Sequence, residues 1–134
     1  SDRVSGFEDW MPTLLELVGR DVAAPGDIDG ISMGPTLLGE TQPERPYLYR
    51  EFPSYGGQQT IRVGPWKAVR QNMTKGNLDV ELYNLVDDIG EQKDVAAAHP
   101  EIVEKLTAMM SSVRTPSADF PLIPIDAAPK KQKP

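Results

Sequence analysis

The sequence contains no cysteine, a single histidine and no long hydrophobic run. Without cysteine, these residues offer no disulfide, no thiolate metal ligand and no cysteine nucleophile. No stretch approaches the roughly 18 apolar residues that a membrane-spanning helix needs, and the first residues do not resemble a signal peptide. From this sequence we therefore expect no disulfide scaffold, no thiolate metal site and no membrane-spanning segment.

Positive charge is also in deficit, with 14 Lys and Arg residues against 20 Asp and Glu residues and a net charge of −6. A protein that binds nucleic acid needs a basic face for the phosphate groups, so we expect no nucleic-acid partner. The one basic run, Lys130-Lys131-Gln132-Lys133, lies in a proline-containing tail. We interpret it as a solubilising or disordered end of the chain.

Proline and glycine are abundant, with 13 and 11 residues in a chain of 134. They predict short elements joined by many loops. Apolar and β-branched residues concentrate in four short runs separated by turn residues, which predicts an antiparallel meander. The predicted strands are residues 47–52, 61–63, 66–70 and 80–85. Gly64-Pro65 is the predicted turn between the two middle strands, and Trp66 is the predicted core anchor.

Two helices are predicted beside this sheet. The clearer one opens at His99-Pro100-Glu101, because Pro suits the first helical position and Glu suits the first turn. Its apolar residues recur at helical spacing, namely Ile102, Val103, Leu106, Met109, Met110 and Val113. An earlier helix is predicted over residues 7–19. The expected fold class is α+β, a small antiparallel sheet of about four strands packed against a C-terminal helix.

The residues form no complete catalytic or metal-binding motif. His99 has no second His and no carboxylate cluster at a metal-ligand spacing, so we interpret it as a helix-boundary residue. Asp87-Asp88 with Glu91 lacks the alternation of an EF-hand loop, which favours a role in a turn and in capping. Gly56-Gly57 is not part of a phosphate-binding motif and predicts a hairpin turn. We therefore predict no catalytic residue and no metal ligand in this chain.

A group of polar residues lies on or beside the predicted sheet, namely Tyr49, Arg50, Glu51, Tyr55, Gln58, Gln59, Arg62 and Lys67. Arg and Lys suit anionic groups such as sulfate or carboxylate, and aromatic rings offer flat apolar faces to sugars. The alternative is an ordinary solvated sheet face with cross-strand charge pairs. From these residues by themselves, both interpretations stay open.

Six short motifs, in order from Asp9 to about Met110, resemble those of the type I (arylsulfatase-like) sulfatases of the alkaline phosphatase superfamily. The first two are similar to that family's D-hydrophobic-x-P-T-L-L-x-L-x-G helix, over residues 9–19, and its D-G-x-S…L-L-G segment, over residues 29–39. The middle two resemble its Y-W-E-F strand, at residues 49–52, and its R-x-G-x-W-K hairpin, at residues 62–67. The last two resemble its E-L-Y-D-L strand, at residues 81–85, and the D-P-x-E…A…H-P ending that follows, at residues 88–100. Arg50, Asn84 and Ile89 depart from the family's usual Trp, Asp and Pro.

The resemblance covers the C-terminal part of such an enzyme. It implies hydrolysis of sulfate esters only when this chain is joined to the missing N-terminal catalytic domain, which is its implied partner. Such sulfatases use a formylglycine made from Cys or Ser in a C/S-x-P-S-R motif, with a calcium ion held by Asp and Asn side chains. No such motif occurs here. The resemblance therefore implies no cofactor in this chain, and calcium and formylglycine in the full-length protein.

The resemblance also implies a division of the chain. Residues 1–45 would be the end of the large α/β domain, a helical remnant with loops. Residues 46–116 would be the small C-terminal domain of sheet plus helix, and residues 117–134 an extended, proline-rich tail. Family members are commonly periplasmic, secreted or lysosomal, and the compartment of this protein stays unassigned.

In the family the small domain closes one side of the substrate cleft, which implies a sulfated small molecule or glycan as partner. The candidates for lining that cleft are Glu51, Tyr55, Gln58, Arg62 and Lys67. Two other interpretations stay open: a free-standing, non-catalytic binding module for acidic or sulfated glycans, and the C-terminal domain of a related phosphoesterase. A homodimer through the exposed apolar face of the helix at residues 7–19 is a further expectation.

Overall fold

The computed structural model describes residues 1–21 and 28–126. The chain divides into two compact units, Ser1–Leu48 and Tyr49–Pro134. The first unit holds two short helices, and the second holds most of the sheet and the long helix. The end of the predicted tail, with its basic run, lies outside the described residues.

In the first unit, the 3-10 turn Phe7–Asp9 leads into helix α1, Trp10–Leu17, and helix α2 spans Gly34–Leu37. Helix α1 occupies most of the helix predicted over residues 7–19. The chain leaves α1 at Gly19, whose φ is 68°. A glycine in this left-handed conformation ends many helices, because it has no Cβ to clash with the preceding turn.

Asp9 is the buried centre of this first unit. Its carboxylate accepts hydrogen bonds from the backbone N–H groups of Gly6 (2.7 Å) and Ile31 (2.8 Å). Arg45 Nη1 donates to both of its oxygens, at 2.6 and 2.7 Å. Although burial acts to raise the pKa of Asp9, the backbone hydrogen bonds and the Arg45 guanidinium lower it below its ordinary value. Buried charge requires such compensation, so Asp9 holds the helix start, the loop at Ile31 and Arg45 together.

Thr13 makes the second set of contacts in this unit. Its hydroxyl donates to the carbonyl oxygen of Asp9 (2.6 Å) and accepts from the backbone N–H of Met33 (2.8 Å). At Gly30, a Cβ atom would lie 2.2 Å from the carbonyl oxygen of Glu8, so this close approach of two backbones requires glycine. The Asp, Thr and Gly of the first two motifs therefore have structural roles.

The second unit is built on a four-stranded sheet in the order β1-β2-β3-β4. The strands are β1 Leu48–Phe52, β2 Gln58–Val63, β3 Trp66–Arg70 and β4 Glu81–Asn84. Strand β2 pairs antiparallel with β3, and β3 pairs antiparallel with β4. The turn between β2 and β3 places Gly64 at a φ of 54°, as the predicted Gly-Pro turn requires. The prediction of a small antiparallel sheet with helices is confirmed.

Helix α3, Pro100–Val113, packs on one face of this sheet. The register sets Ala68 between Ile61 and Leu82 on neighbouring strands. These three residues form the buried core with Leu106 and Met110 of α3. The predicted apolar stripe of α3 is confirmed, since its other members pack against the same core, namely Ile102, Val103, Met109 and Val113.

Trp66 packs against this core but is not one of its buried members, so the prediction that it is the core anchor is confirmed only in part. It is half-buried and lies opposite Val63, in the residue pair next to the β2–β3 turn. Its ring lies 5.0 Å from that of His99. The His99 carbonyl oxygen accepts from the N–H groups of Ile102 (3.1 Å) and Val103 (3.2 Å). The helix-boundary role predicted for His99 is therefore confirmed.

Two aspartates organise the loop that follows β4. The Asp88 carboxylate accepts from the backbone N–H groups of Gln92 (2.7 Å) and Lys93 (2.8 Å), which confirms the predicted turn role. The Asp94 carboxylate accepts from the backbone N–H of Leu82 (2.9 Å). Backbone donors next to the core are thereby satisfied, and the loop is fixed beside β4.

Candidate functional site

The five residues predicted to line a cleft do not share one surface. Side chains alternate between the two faces of a strand, and Ile61 fixes the face of β2 that points to α3. Gln58 and Arg62 therefore lie on the opposite face, together with Lys67, the cross-strand partner of Arg62. Glu51 belongs to the α3 side of the sheet, as its contact with Tyr49 shows.

Arg62 and Lys67 are both engaged within the chain. Arg62 Nε donates to the carbonyl oxygen of Gly64 in its own hairpin (3.1 Å). Lys67 Nζ lies 2.5 Å from Glu91 Oε1, and these two side chains are 27% and 32% exposed. An ion pair with this degree of exposure contributes about 0–1 kcal/mol and is screened by salt. The pair nevertheless reduces the positive charge that this sheet face offers to an anion.

Tyr55 stands out among the five candidates, because it combines backbone strain with exposure. Its φ is 53°, a left-handed conformation that is unusual for a bulky residue. Its side chain is 85% exposed, and its ring is stacked on that of Phe52 at a centroid distance of 5.6 Å. The protein thus holds a flat aromatic pair towards solvent at the end of β1, and Gln58 begins β2 after the same loop.

Hydrogen bonds connect this β1–β2 loop to the β3–β4 loop, and we call the two together the loop end of the sheet. The N–H of Thr74 donates to the Gly56 carbonyl oxygen (2.9 Å), and the N–H of Met73 donates to the Gly57 carbonyl oxygen (3.1 Å). Met73, in the β3–β4 loop, is fully buried. The two backbone bonds fix Gly56 and Gly57, the residues that directly follow Tyr55.

Glu51 belongs to a buried ion cluster around Arg114. Arg114 Nε lies 2.5 Å from Glu51 Oε1, and its two terminal nitrogens each lie 2.8 Å from an oxygen of Asp126. The Arg114 side chain is only 7% exposed. The N–H of Leu122, itself fully buried, also donates to Asp126 (2.9 Å). Two carboxylates and one guanidinium thus fasten the segment after α3 to strand β1.

The cluster continues along the α3 side of the sheet. The Tyr49 hydroxyl donates to Glu51. Gln59 Nε2 donates to the Tyr49 hydroxyl (2.8 Å), and Gln59 Oε1 accepts from Arg70 Nη1 (3.0 Å). Gln59 is 1% exposed. We call the whole set the polar network, and its members are Arg70, Gln59, Tyr49, Glu51, Arg114 and Asp126.

The polar network changes the acidity of its members. Burial, helped by the Glu51 carboxylate, raises the pKa of Tyr49 to about 12. The hydrogen bonds from Arg114 lower the pKa of Asp126 to about 2, and the same carboxylates raise the pKa of Arg114. Tyr49, Asp126 and Arg114 therefore keep their charge states across neutral pH, which gives the network the properties of a structural clamp.

Sequence reasoning missed Arg114, Asp126 and Arg70 entirely. A signal for part of the network was present, because alternation puts Gln59 on the same face of β2 as Ile61. A glutamine predicted at a buried position requires partners on the neighbouring strands. Nothing in the local sequence points from Glu51 to Arg114, which lies 63 residues away.

Two further properties of the described part of the chain concern metals and membranes. Within residues 1–21 and 28–126, no three His, Asp or Glu side chains are grouped so that they could hold a metal ion. Among the same residues, none of the helices has both the length and the apolar character that crossing a bilayer requires.

Comparison with known proteins finds sulfatases among the relatives of this chain. No protein-family model matches the chain. A Δ4,5-hexuronate-2-O-sulfatase from Bacteroides thetaiotaomicron is 33% identical over 129 residues, which cover 91% of this chain and 26% of the relative. An N-acetylgalactosamine-6-O-sulfatase from the same organism is 28% identical over 116 residues, covering 78% of this chain and 22% of the relative.

Solved structures give the same result. A Bacteroides thetaiotaomicron protein, described in connection with the metabolism of multiple glycosaminoglycans, is 28% identical and superposes with a TM-score of 0.59. The match covers 78% of this chain and 24% of that protein. The chain therefore spans about a quarter of the length of the proteins that it matches, and the matched parts are their C-terminal regions.

Proposed function

Since this chain is homologous to the C-terminal region of sulfatases, we propose that it is the C-terminal part of a longer sulfuric ester hydrolase and that it shapes one side of the substrate cleft. The observation that carries this proposal is the match of 91% of the chain to 26% of a sulfatase. Named relatives act on sulfated hexuronate and sulfated N-acetylgalactosamine, so we propose a sulfated sugar as substrate.

The catalytic groups of this family, a formylglycine and a calcium ion, do not fit the residues of this chain. The sequence has no cysteine and no S-x-P-S-R motif, and the described residues form no three-ligand cluster. In this proposal both groups belong to the part of the longer protein that lies outside these residues. We therefore assign no catalytic step to this chain, and its contribution is the binding and positioning of substrate.

The proposed cleft residues differ in how strongly the geometry supports them. Tyr55 has the strongest support, because strained residues that are exposed are typical of ligand sites and its ring offers an apolar face. Gln58 lies at the end of the same loop. Arg62 and Lys67 have weaker support, since each already has a partner. Glu51 has the weakest support, because its carboxylate is held by Arg114.

Turnover assays on two proteins test the proposal. We expect the longer protein to release sulfate from an aryl sulfate and from sulfated sugars. We expect the 134-residue chain by itself to release none. Sulfate release by the 134-residue chain alone would contradict the assignment. Hydrolysis of an aryl phosphate but not of an aryl sulfate by the longer protein would favour the related phosphoesterase instead.

A second candidate function is a non-catalytic module that binds acidic glycans, and the exposed Phe52–Tyr55 stack favours it. Isothermal titration of the 134-residue chain with a sulfated oligosaccharide tests this candidate. Binding that weakens with added salt and with Arg62→Ala would support it. The net charge of −6 and the Lys67–Glu91 pair act against such binding.

In this proposal the exposed apolar face of α1 must be covered by another protein surface. Phe7, Trp10, Leu14, Leu17 and Val18 are between 44% and 90% exposed. An apolar face of this kind is typical of a buried interface. We propose that the rest of the longer protein covers it, and that the 134-residue chain by itself forms a homodimer there. Light scattering that finds only monomer at high concentration would exclude the homodimer.

A further inference from the structure

Among the described residues Arg70 has no carboxylate partner, in contrast to two other arginines of the chain. Arg45 pairs with Glu8 and Asp9, and Arg114 pairs with Glu51 and Asp126. Among the described residues, the only hydrogen bond that Arg70 makes through its side chain runs from Nη1 to Gln59 Oε1. A guanidinium has five N–H donors in a fixed fork, so four of them lack an acceptor within residues 1–21 and 28–126.

The unfilled donors occupy two environments. Nε of Arg70 is buried and has no acceptor, and it is the one buried side-chain N or O atom among the described residues for which this holds. Nη2 has no acceptor among the described residues either, but it is not a fully buried atom, so solvent reaches it. Burial lowers the pKa of the Arg70 guanidinium, as expected for a cation that has lost water without gaining an anion. The open side of the guanidinium therefore faces out at Nη2.

Gln59 holds Arg70 in this position. The Gln59 side chain is almost fully buried, and its two polar atoms are both used, with Oε1 bonded to Arg70 and Nε2 bonded to Tyr49. Tyr49 is in turn fixed by Glu51. Because the supporting side chains are already in place, a ligand at Arg70 needs little further ordering of the protein. Arg70 also ends β3 at the loop end of the sheet, where Tyr55 is exposed.

We propose that Arg70 is an oxyanion-binding residue that receives a sulfate or carboxylate group at Nη2 and the second hydrogen of Nη1. Planar arginine donors match both groups. The oxyanion comes either from a sulfated sugar ligand or from an acidic side chain of the longer protein outside this chain. If the oxyanion comes from a sulfated sugar, the proposal rests on the proposed function and adds to it a contact between Arg70 and an anionic group of the sugar at the loop end. If it comes from an acidic side chain, the proposal does not depend on that function.

The first experiment uses inorganic sulfate as the probe on the 134-residue chain. Sodium sulfate is titrated against sodium chloride at matched ionic strength, and the side-chain amide resonances of Gln59 are followed by NMR. We expect a saturable shift with sulfate that Arg70→Lys weakens and Arg70→Gln abolishes, whereas Arg20→Gln, at an exposed arginine of the first unit, retains it. An unchanged backbone spectrum for the α3 core shows that each variant is folded. No saturable shift, or an equal shift with chloride or in folded Arg70→Gln, would overturn the proposal.

The second experiment separates the two sources in the longer protein. If a sugar supplies the oxyanion, Arg70→Gln raises KM for the sulfated sugar, leaves KM for a simple aryl sulfate unchanged, and leaves kcat unchanged for both. If an acidic side chain supplies it, sulfate no longer shifts Gln59 in the longer protein, and Arg70→Gln lowers its thermal stability instead. Sulfate binding at Arg70 in a longer protein without sulfatase activity would reject the proposed function and leave the oxyanion site standing.

Discussion

The two compact units of this chain bury their apolar residues to very different extents. In the second unit Ile61, Leu82, Leu106 and Met110 are at most 1% exposed. In the first unit most large apolar side chains of α1 are exposed, and the fully buried side chains are polar ones and a proline, with Asp9 and Thr13 at 1% and 0%. The second unit is therefore held by a closed apolar core, and the first by hydrogen bonds around a buried ion pair.

This difference indicates what each unit needs from its surroundings. A sheet covered by an amphipathic helix satisfies its own hydrophobic demand. A helix whose apolar stripe faces water does not, and it gains stability only when another surface covers the stripe. The first unit thus has the properties of a segment that is completed by other residues, in agreement with the proposed place of the chain in a longer protein.

Truncation of one leucine in each unit should produce the largest effect, and it tests whether the two units differ in the burial of their apolar residues. Leu106→Ala should reduce the free energy of unfolding by about 2–5 kcal/mol, because it removes buried methyl groups and leaves a cavity. In dilute, monomeric protein, Leu14→Ala, at a side chain that is 55% exposed, should change it by no more than about 0.5 kcal/mol. Urea unfolding followed by circular dichroism measures both. Equal losses in the monomer would show that the α1 face is buried within the chain itself.

The next effect concerns acid, because each unit contains a carboxylate held by an arginine. The folded pKa of Asp126 is lowered from 3.8 to about 2, so its stabilising contribution is complete above its unfolded pKa. That contribution is lost as the pH falls through the interval from about 4 to about 2. Asp9 also has a lowered pKa and should act in the same direction in the first unit. Acid should therefore weaken both units.

Asp126→Asn separates the two contributions. The variant should lose stability at neutral pH, because Arg114 keeps only Glu51 as a charged partner. Its second unit should then unfold with a shallower pH dependence between about pH 4 and pH 2. Resonances of α3 report on that unit, and those of Thr13 report on the first. A pH dependence at α3 identical to that of the unaltered chain would show that Asp126 does not contribute.

The sequence predicted those parts of the second unit whose signals are local. The apolar spacing of α3, the Gly64-Pro65 turn and the alternation around Ile61 each lie within a few residues, and each was found as predicted. Trp66 packs against the core without being one of its buried members, because residue size indicates burial but not position along a strand. The polar network could not be predicted, since Glu51 and Arg114 meet only after β1, the sheet and α3 have packed.

In the first unit the sequence predicted the helix but not the reason for its motif. Asp9 directly precedes α1, yet its side chain makes no capping bond to that helix and reaches Arg45 and the loop at Ile31 instead. Gly30 belongs to the second motif, but the reason that glycine is required there is the close approach of the Glu8 backbone, which the motif does not reveal. Such contacts between distant segments are invisible to periodicity and spacing.

The smallest effect on stability is expected at Tyr55. It tests whether this exposed side chain binds substrate, in contrast to the exposed side chains of α1, which we propose are covered by the rest of the longer protein. Tyr55→Gly relieves a left-handed conformation that costs a bulky residue about 1 kcal/mol, and it removes a ring that is 85% exposed. Unfolding stability should therefore stay within about 1 kcal/mol of the original. In the longer protein, KM for a sulfated sugar should rise about threefold to tenfold at unchanged kcat, because one aromatic contact is lost.

Asn72→Gly is the matched control for Tyr55→Gly, since Asn72 lies at the same loop end with a φ of 57° but has no aromatic ring. It should leave both stability and KM nearly unchanged, because asparagine tolerates this conformation well. A loss of more than about 1 kcal/mol in Tyr55→Gly with unchanged KM would assign the Phe52–Tyr55 stack to folding. In that case Tyr55 would have a role in stability and none in substrate binding, and the candidate cleft would lose its best-supported residue.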